Sequence, residues 1–395
     1  MIFSTPTLPA NYVQVIENIN QLREKLRFAT SNSIHRWHGL LARMAAARAM
    51  IGTHTIEGVN VTLDDAVAVV DGEPLLTGEA QETAALLGYW NAMTYIVQLS
   101  RDSSYTHNEG TIKSLHFMML GHDLTKHPGR WRPGPIHVSN TATNQIVYEG
   151  PDIQIVPGLI QELIAFLNTK SGEPLVRAAM AHLNFTMIHP FSDGNGRMAR
   201  ALQTMVLSRE GILDPRFSSI EEYIGAHPGD YYAVLADVGL GSWNPQRDAL
   251  PWIKFCLTAH YRQAVNLLRR HEQLTNLWEQ LEEEVKNRKL NDRVVYALAD
   301  AAIGLKVRNP TYREQVNVSN QVAKNDLKNL ADLKLLVPVG ERRGRYYVRG
   351  PFLMEIRKRT LLPRTDTDPF ETPSDPLSPQ FVQRDLPGLA TTTNG

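Results

Sequence analysis

Apolar residues recur at three- and four-residue steps through the first half of the chain, which predicts a mainly helical fold. We expect helices at 33–51 and 79–99. Between residues 129 and 156 the pattern changes to two short runs rich in β-branched and aromatic residues, at 136–138 and 145–148. This second pattern predicts a β-hairpin within a helical region.

Two further helices are predicted close together in the middle of the chain. Leu175, Ala179, Leu183 and Met187 mark one face of a helix that Pro190 closes. A second helix is expected from about residue 195 to residue 210, where Gly211 stops it. The residues between these helices form a short loop.

The second half of the chain shows a different organisation. After an apolar run at 252–257, residues 260–289 predict a long charged helix that connects domains. Helices at 292–303, 313–316 and 319–334, followed by strands at 336–339 and 346–349, predict a winged-helix-like domain over 291–350. Residues 361–395 are rich in Pro, Thr, Ser and Asp without periodicity, and we expect them to be disordered. We therefore divide the chain into an N-terminal helical region at 1–105, a central domain at 106–258, a linker helix at 259–290, this C-terminal domain and the tail.

Composition narrows the class of protein. The single cysteine, Cys256, excludes a disulfide within the chain and a cysteine-based zinc site, and a reducing cytoplasm fits this usage. No leader pattern at the start and no long apolar run is visible, so we expect neither secretion nor a membrane span. Net charge is zero, yet residues 285–360 hold 17 Lys and Arg against 7 Asp and Glu. That excess makes nucleic acid a candidate partner of the basic region.

The loop after Pro190 and the start of the next helix suit a phosphate group. Gly194 and Gly196 permit backbone angles that let successive amides turn inward around an anion. The N-terminus of the following helix adds free amides and the positive end of its dipole. Arg197 and Arg200 can reach further phosphate oxygens from its first turns.

Two other side chains of the loop could perform chemistry on that phosphate. Asp193 offers the kind of carboxylate that Mg²⁺ shares with substrate phosphates and water. His189 could take a proton from an attacking hydroxyl near neutral pH. A base, an acid and an anion site within twelve residues indicate phosphoryl or nucleotidyl transfer.

The segment from His189 to Arg200 resembles the signature of the Fic (Fido) family, His-Pro-Phe-x-Asp/Glu-Gly-Asn-Gly-Arg-x-x-Arg, at every specified position. The resemblance implies a Fic/Fido helical core with a β-hairpin flap, and a protein adenylyltransferase that moves AMP from ATP to a Ser, Thr or Tyr hydroxyl of a target protein. It makes His189 the general base and Asp193 the holder of Mg²⁺, and Phe191 an apolar anchor. The nucleotide-binding residues would be Gly194, Asn195, Gly196, Arg197 and Arg200.

The same resemblance assigns a target-positioning flap and an inhibitory motif. The flap residues would be Ile136, His137, Val138, Ile146, Val147 and Tyr148. Residues 53–58, Thr-His-Thr-Ile-Glu-Gly, are similar to the family's inhibitory motif Ser/Thr-x-x-x-Glu-Gly/Asn. Glu57 would then pair with Arg197 and deny the γ-phosphate its place. The chain is thus expected to be autoinhibited at rest.

Several alternatives remain open at this point. The chain could be a nucleotide-sensing regulator that binds DNA, or a Fic enzyme that transfers another phosphate-linked group or removes AMP. In the winged-helix-like domain, DNA or a protein could contact a basic and polar set of residues, Asn320, Gln321, Lys324, Asn325, Lys328, Arg342, Arg343 and Arg345. The sequence also leaves open a homodimer, and whether the chain is among its own targets.

Overall fold

The computed structural model describes residues 1–31, 38–73, 80–139, 145–169, 171–211, 215–341, 344–364 and 367–371. Helices dominate this part of the chain, and its strands are few and short. The prediction of a mainly helical fold with one hairpin in its centre is confirmed.

The N-terminal part of the chain is helical and contains the predicted inhibitory motif. Its helices are α1 (Ala10–Ser31), α2 (His38–Ile56), α3 (Leu63–Val70) and α4 (Ala80–Arg101). Helices α2 and α4 confirm the helices expected at 33–51 and 79–99, as far as these lie within the described residues. The side chain of Thr62 caps α3 by accepting a hydrogen bond from the amide of Asp65 at 3.2 Å.

The centre of the fold consists of helices around a small sheet. The elements are α5 (Glu109–Leu120), β1 (His137–Ser139), β2 (Ile146–Glu149), α6 (Val156–Asn168), α7 (Pro174–Ile188) and α8 (Asn195–Arg209). Strands β1 and β2 pair antiparallel with Val138 opposite Tyr148, which confirms the hairpin, although residues 140–144 lie outside the described part. Helices α7 and α8 confirm the predicted pair and are buried along nearly their whole length.

The next elements complete this central part and lead out of it. They are α9 (Pro215–Ser218), α10 (Glu221–Ala226), α11 (Pro228–Gly239), β3 (Gly241–Ser242) and α12 (Leu250–Asn287). Strand β3 pairs parallel with β2, a pairing that the sequence did not indicate. Helix α12 is 38 residues long and unites the apolar run at 252–257 with the charged stretch after it. The charged helix expected at 260–289 therefore begins at Leu250.

The C-terminal elements are α13 (Val294–Ala302), α14 (Asn309–Val316), α15 (Asn320–Asp332), β4 (Leu336–Val339), β5 (Tyr346–Arg349) and α16 (Pro351–Arg359). Three helices and two antiparallel strands occur as predicted, and α16 is an addition. The winged-helix interpretation itself stays a prediction. Of the arginines that DNA or a protein could contact, Arg342 and Arg343 lie outside the described residues, and Arg345 is exposed.

The N-terminal end of the described chain packs against its middle, and the C-terminal end contacts α1. Helix α1 lies along α12, and the amide of Phe3 donates to Oδ1 of Asn184 on α7 at 2.8 Å. At the start of the segment predicted to be disordered, the ring of Phe370 contacts that of Tyr12 with 4.9 Å between centroids. Residues 372–395 of that segment lie outside the described part. None of the described helices is long and apolar enough to cross a membrane.

Candidate active site

The predicted base lies where α7 ends. His189 has a left-handed backbone conformation, with φ 51°, and its amide donates to the carbonyl of Phe185. Its Nδ1 lies 3.2 Å from the carbonyl oxygen of Thr186. Because a carbonyl only accepts, Nδ1 carries the proton of the neutral ring and Nε2 carries the lone pair. Burial lowers the pKa of His189 to about 4, so the ring is neutral at pH 7 and can accept a proton.

The N-terminus of α8 follows directly and has no side-chain cap. Gly194 is its N-cap, with φ 74°, and no side-chain hydrogen bond caps this end of the helix. A Cβ on Gly196 would lie 3.0 Å from Oε1 of Glu57 and 3.1 Å from Nη1 of Arg200. Glycine at this position therefore lets two charged groups approach the helix backbone. First-turn amides and a positive dipole end are the features that bind phosphate in other helices.

The side chain of Asn195 bonds within the loop, and the predicted role of this residue in nucleotide binding stays a prediction. Its side chain accepts a hydrogen bond from the amide of Phe191 and donates one to the carbonyl of the same residue, each at 2.9 Å. Both ends of the carboxamide are thus engaged within the loop. Asn195 can serve a nucleotide only through its backbone amide, while its side chain fixes the loop.

Phe191 is fully buried, as the apolar anchor implied by the resemblance would be. Its ring stacks on His116 of α5, with 3.6 Å between ring centroids and an interplanar angle of 4°. The Nδ1 atom of His116 accepts from the amide of Gly129 at 2.8 Å, and Nε2 donates to the carbonyl of Asp193 at 2.9 Å. Burial lowers the pKa of His116 to about 4, so this ring stays neutral. In the neutral form one nitrogen accepts and the other donates, and these two hydrogen bonds fix the loop.

Sequence analysis missed His116, because a histidine on the apolar face of a helix gives no signal of its distant partners. The sequence also contains no signal that Lys126 contacts the loop, because its partner lies in a distant segment. Its Nζ lies 2.8 Å from Oδ2 of Asp193.

Asp193 has the charge that a metal ligand needs. Burial alone would raise the pKa of Asp193, but hydrogen bonds from Lys126 and from the Gly194 amide outweigh burial and hold it below the ordinary value. The carboxylate is therefore ionised and already faces one cation. A single ionised carboxylate beside a phosphate site fits Mg²⁺, which takes most of its other ligands from phosphate and water.

The two arginines of α8 have different surroundings. Arg200 is buried, and its Nε donates to Oγ1 of Thr53 at 2.9 Å. Arg197 is also buried, but its Nε has no hydrogen-bond partner among the described residues. A buried arginine nitrogen without a partner is costly, and a phosphate oxygen would satisfy it.

The predicted partner of Glu57 is wrong. The Oε1 atom of Glu57 lies 2.8 Å from Nη2 of Arg200, whereas the pairing was expected with Arg197. Burial opposes the charge of Arg200, but the Glu57 carboxylate raises the pKa of that guanidinium above its ordinary value. Both arginines lie on α8, and the position of α2 decides which of them the glutamate reaches.

Close helix packing sets that position of α2. A Cβ on Gly52 would lie 2.2 Å from the carbonyl oxygen of Glu221, and one on Gly225 would lie 2.5 Å from Cα of Gly52. Helices α2 and α10 therefore touch backbone to backbone. Near the end of α2, the hydroxyl of Tyr232 donates to the carbonyl of Ile56 at 3.1 Å. These contacts bring Thr53 and Glu57 to Arg200.

The predicted flap lies beside the loop, with its residues facing different ways. Ile146 and Val147 are exposed on β2, and His137 is exposed on β1. Tyr148 is buried, and its hydroxyl donates to the carbonyl of Met187 at 2.8 Å, so this side chain anchors the hairpin to α7.

The remaining flap residues, Ile136 and Val138, are partly buried. The carbonyl of Ile136 accepts a hydrogen bond from the amide of Gly150 at 3.1 Å, which closes the base of the hairpin.

Buried Arg132, which the sequence did not single out, connects flap and loop. Its Nε donates to the carbonyl of His189 at 3.0 Å, and its amide donates to the carbonyl of Pro190 at 2.9 Å. Its two terminal nitrogens donate to the carbonyls of Gly134 and Pro151, which lie on either side of the hairpin.

The region that contains this site is similar to known proteins. The Fic/DOC family model matches residues 106–207, which include β1, β2, the loop and most of α8. These residues are therefore similar to the Fic/DOC domain. More particularly, 243 residues are 25% identical to the protein adenylyltransferase Fic of Nematostella vectensis, covering 61% of this chain and 53% of that protein.

Other relatives extend the comparison. A probable protein adenylyltransferase of Aquifex aeolicus is 28% identical over 172 residues, covering 43% of this chain and 50% of that one. The chain spans about half the length of these curated relatives. A solved Fic family protein from Desulfovibrio desulfuricans aligns over 88% of this chain and 98% of its own, with a TM-score of 0.58 at 23% identity. That likeness shows a shared fold.

Proposed function

We propose that this protein is a protein adenylyltransferase that transfers AMP from ATP to a Ser, Thr or Tyr hydroxyl of a target protein. One observation carries the proposal: the loop brings a neutral histidine close to the uncapped N-terminus of α8, where the Nε of Arg197 has no hydrogen-bond partner among the described residues. The names of the Nematostella vectensis and Aquifex aeolicus relatives support the same activity.

In this account the phosphates of ATP lie at the N-terminus of α8. The amides of Asn195 and Gly196 face the negative oxygens, and Arg197 gains the acceptor that its Nε lacks. Helix amides and arginine stabilise charge in place, which is the main contribution a protein makes to phosphoryl chemistry.

The histidine then activates the target. Nε2 of His189 takes the proton of the target hydroxyl, whose oxygen forms a bond to the α-phosphorus as the bond to the bridging oxygen breaks and pyrophosphate leaves. The hydrogen bond from Nδ1 to Thr186 keeps the ring in the tautomer that this step needs. Mg²⁺ held by Asp193 would neutralise phosphate charge.

Glu57 holds this enzyme in a resting state. Its carboxylate lies on the guanidinium of Arg200, in the geometry that a phosphate oxygen would use. The inhibition expected from the sequence is thus retained in the proposal, with Arg200 in place of Arg197 as the blocked group.

The hairpin offers a route for the target backbone. In the described sheet, whose order is β1-β2-β3, strand β1 lies at an edge and can receive an extended segment of another protein. A target bound there would run alongside the loop that contains His189. The exposed polar face of α15, including Lys324 and Lys328, is left for DNA or for a protein partner.

Labelling with ATP tests the proposal. Purified Glu57→Gly protein with Mg²⁺ and a cell lysate should transfer label from α-labelled ATP to protein, and should transfer none from γ-labelled ATP. Glu57→Gly/His189→Ala should transfer none from either. Absence of α-label on every protein, itself included, would refute the transfer. If the His189→Ala chain kept its biological function without any transfer, that result would favour a nucleotide-sensing regulator.

A further inference from the structure

We infer that Arg132 is a positioning residue that fixes the flap relative to the base, an inference that rests on the proposed function. The side chain is only 2% exposed, and its guanidinium donates to three main-chain carbonyls. One acceptor belongs to His189, and the other two flank the hairpin. A single rigid group therefore joins the base to the strand that would carry the target.

The chemistry of the guanidinium suits this task. It is planar and directs five donors in fixed directions, so it can satisfy three carbonyls at once, while a lysine ammonium is a single flexible point. The main-chain amide of Arg132 also donates a hydrogen bond to the carbonyl of Pro190. The distance between the imidazole of His189 and β1 thus depends on this residue. A misplacement of about 1 Å at a reacting centre can cost about 10²-fold in rate.

Arg132→Lys and Arg132→Met, each in the Glu57→Gly background, test this role. The labelling rate should fall by about 10²-fold in the Met variant and less in the Lys variant, with ATP affinity by calorimetry unchanged in both. Amide hydrogen exchange in β1 and β2 should speed up. Arg209→Lys is the matched control, because Arg209 also donates to main-chain carbonyls, those of Leu99 and Tyr105, but at the far end of α8.

The outcomes separate the two levels of the account. If the Glu57→Gly parent does not label any protein, the proposed function fails. If the parent labels and the Arg132 variants label equally fast, the positioning role fails alone. ATP affinity that falls in step with the rate would also overturn it, since the loop as a whole would then be disturbed.

Independent contacts point to regulation by the C-terminal module, defined here as residues 294–359. We propose that this module holds the inhibitory segment, residues 38–73, in the position that presses Glu57 onto Arg200. This proposal also rests on the proposed function. Its support is a set of ion pairs that join the module to the inhibitory segment on both sides of Glu57.

The ion pairs lie before and after the inhibitory glutamate. On α2, Nη2 of Arg43 lies 2.6 Å from Oδ1 of Asp300, and each side chain is 11% exposed. Beyond Glu57, Nζ of Lys306 lies 2.8 Å from Oδ2 of Asp64.

A second pair beyond Glu57 completes the set. Nη1 of Arg308 lies 2.6 Å from Oε2 of Glu73, with 16% and 13% of the side chains exposed. The hydroxyl of Thr311 also hydrogen-bonds the Glu73 carboxylate. Pairs so shielded from water interact more strongly than surface pairs.

The consequence is a release route that starts at the module. A ligand that shifts the module must break these pairs, and α2 and α3 then lose the support that keeps Glu57 on Arg200. The partner that engages the module would thereby set the activity of the loop.

A charge swap tests the coupling. Lys306→Asp should raise labelling by a chain that retains Glu57 by about tenfold, and Asp64→Lys added to it should return labelling towards the original level. Lys358→Asp, the same charge change at an exposed position of α16, is the control and should leave labelling unchanged. In Glu57→Gly the Lys306→Asp change should have no effect.

Either of two results would overturn the coupling. Lys306→Asp could leave labelling at the original level while Glu57→Gly raises it, or Lys306→Asp could raise labelling equally in chains with and without Glu57. A silent Glu57→Gly chain would instead count against the proposed function.

Discussion

Removal of the Glu57 carboxylate should lower the free energy of unfolding of the ATP-free protein and increase the stabilisation that ATP provides. Nη2 of Arg200 lies 2.8 Å from Oε1 of Glu57. Two unit charges about 4 Å apart attract each other by about 4 kcal/mol at an effective dielectric constant of about 20. Breaking a buried pair costs about 3–5 kcal/mol, because the remaining charge stays buried. Arg200 is 1% exposed and Glu57 is 28% exposed. We therefore expect Glu57→Ala to cost about 3 kcal/mol, at the lower end of that range.

Thermal unfolding with and without Mg-ATP measures this effect. At about 2.1 cal/mol/K of unfolding entropy per residue, the midpoint of a chain of 395 residues should fall by about 4 °C in Glu57→Ala. ATP at about 100 times its Kd should restore about 2.7 kcal/mol of this loss. The ATP response of the unchanged chain should be smaller, because Glu57 must first leave Arg200.

Glu355→Ala provides the matched control for this experiment. Glu355 pairs with Arg359, but the two side chains are 56% and 64% exposed, so the change should cost at most about 1 kcal/mol. If Glu57→Ala is as stable as the unchanged chain, the ion pair does not stabilise the free protein. If ATP stabilises both chains equally, Glu57 does not compete with ATP.

The remaining predictions concern the base and two glycines. Because burial lowers the pKa of His189 to about 4, the imidazole stays neutral as the pH falls. The kcat/KM for labelling by Glu57→Gly should therefore stay level from pH 8 to about 5.5. A kcat/KM that falls to half near pH 6.5 would contradict this. Gly194→Ala should reduce labelling, because a Cβ there would lie 2.6 Å from Cδ1 of Leu120 and the first turn of α8 or that side chain must shift. Gly211→Ala, with a similar φ and open space, should cost only about 1–2 kcal/mol of stability. Gly52→Ala should force α2 away and raise labelling by a chain that retains Glu57, while Gly39→Ala on the same helix should not; equal labelling by the two would count against the packing argument.

The sequence predicts those parts of the site that are contiguous. His189, Asp193, Gly194 and the two arginines lie within twelve consecutive residues, so their types and spacing already indicate a phosphate site. The hairpin is local in the same sense, since each strand pairs with its nearest neighbour.

The sequence could not predict contacts between distant segments. Arg200 and Glu57 are 143 residues apart, and the choice between Arg197 and Arg200 depends on the close contact of Gly52 with α10. His116 and Arg132 reach the loop from other parts of the chain, and no local pattern in the sequence indicates these contacts. Strand β3 has two residues and pairs with a strand far away in the chain.

Intact-mass spectrometry of Glu57→Gly protein incubated with ATP, Mg²⁺ and candidate target proteins shows whether AMP is transferred. The chain or a target should gain the mass of one AMP moiety, and Glu57→Gly/His189→Ala should yield no adduct. An adduct of different mass, or no adduct on any protein, would contradict AMP transfer.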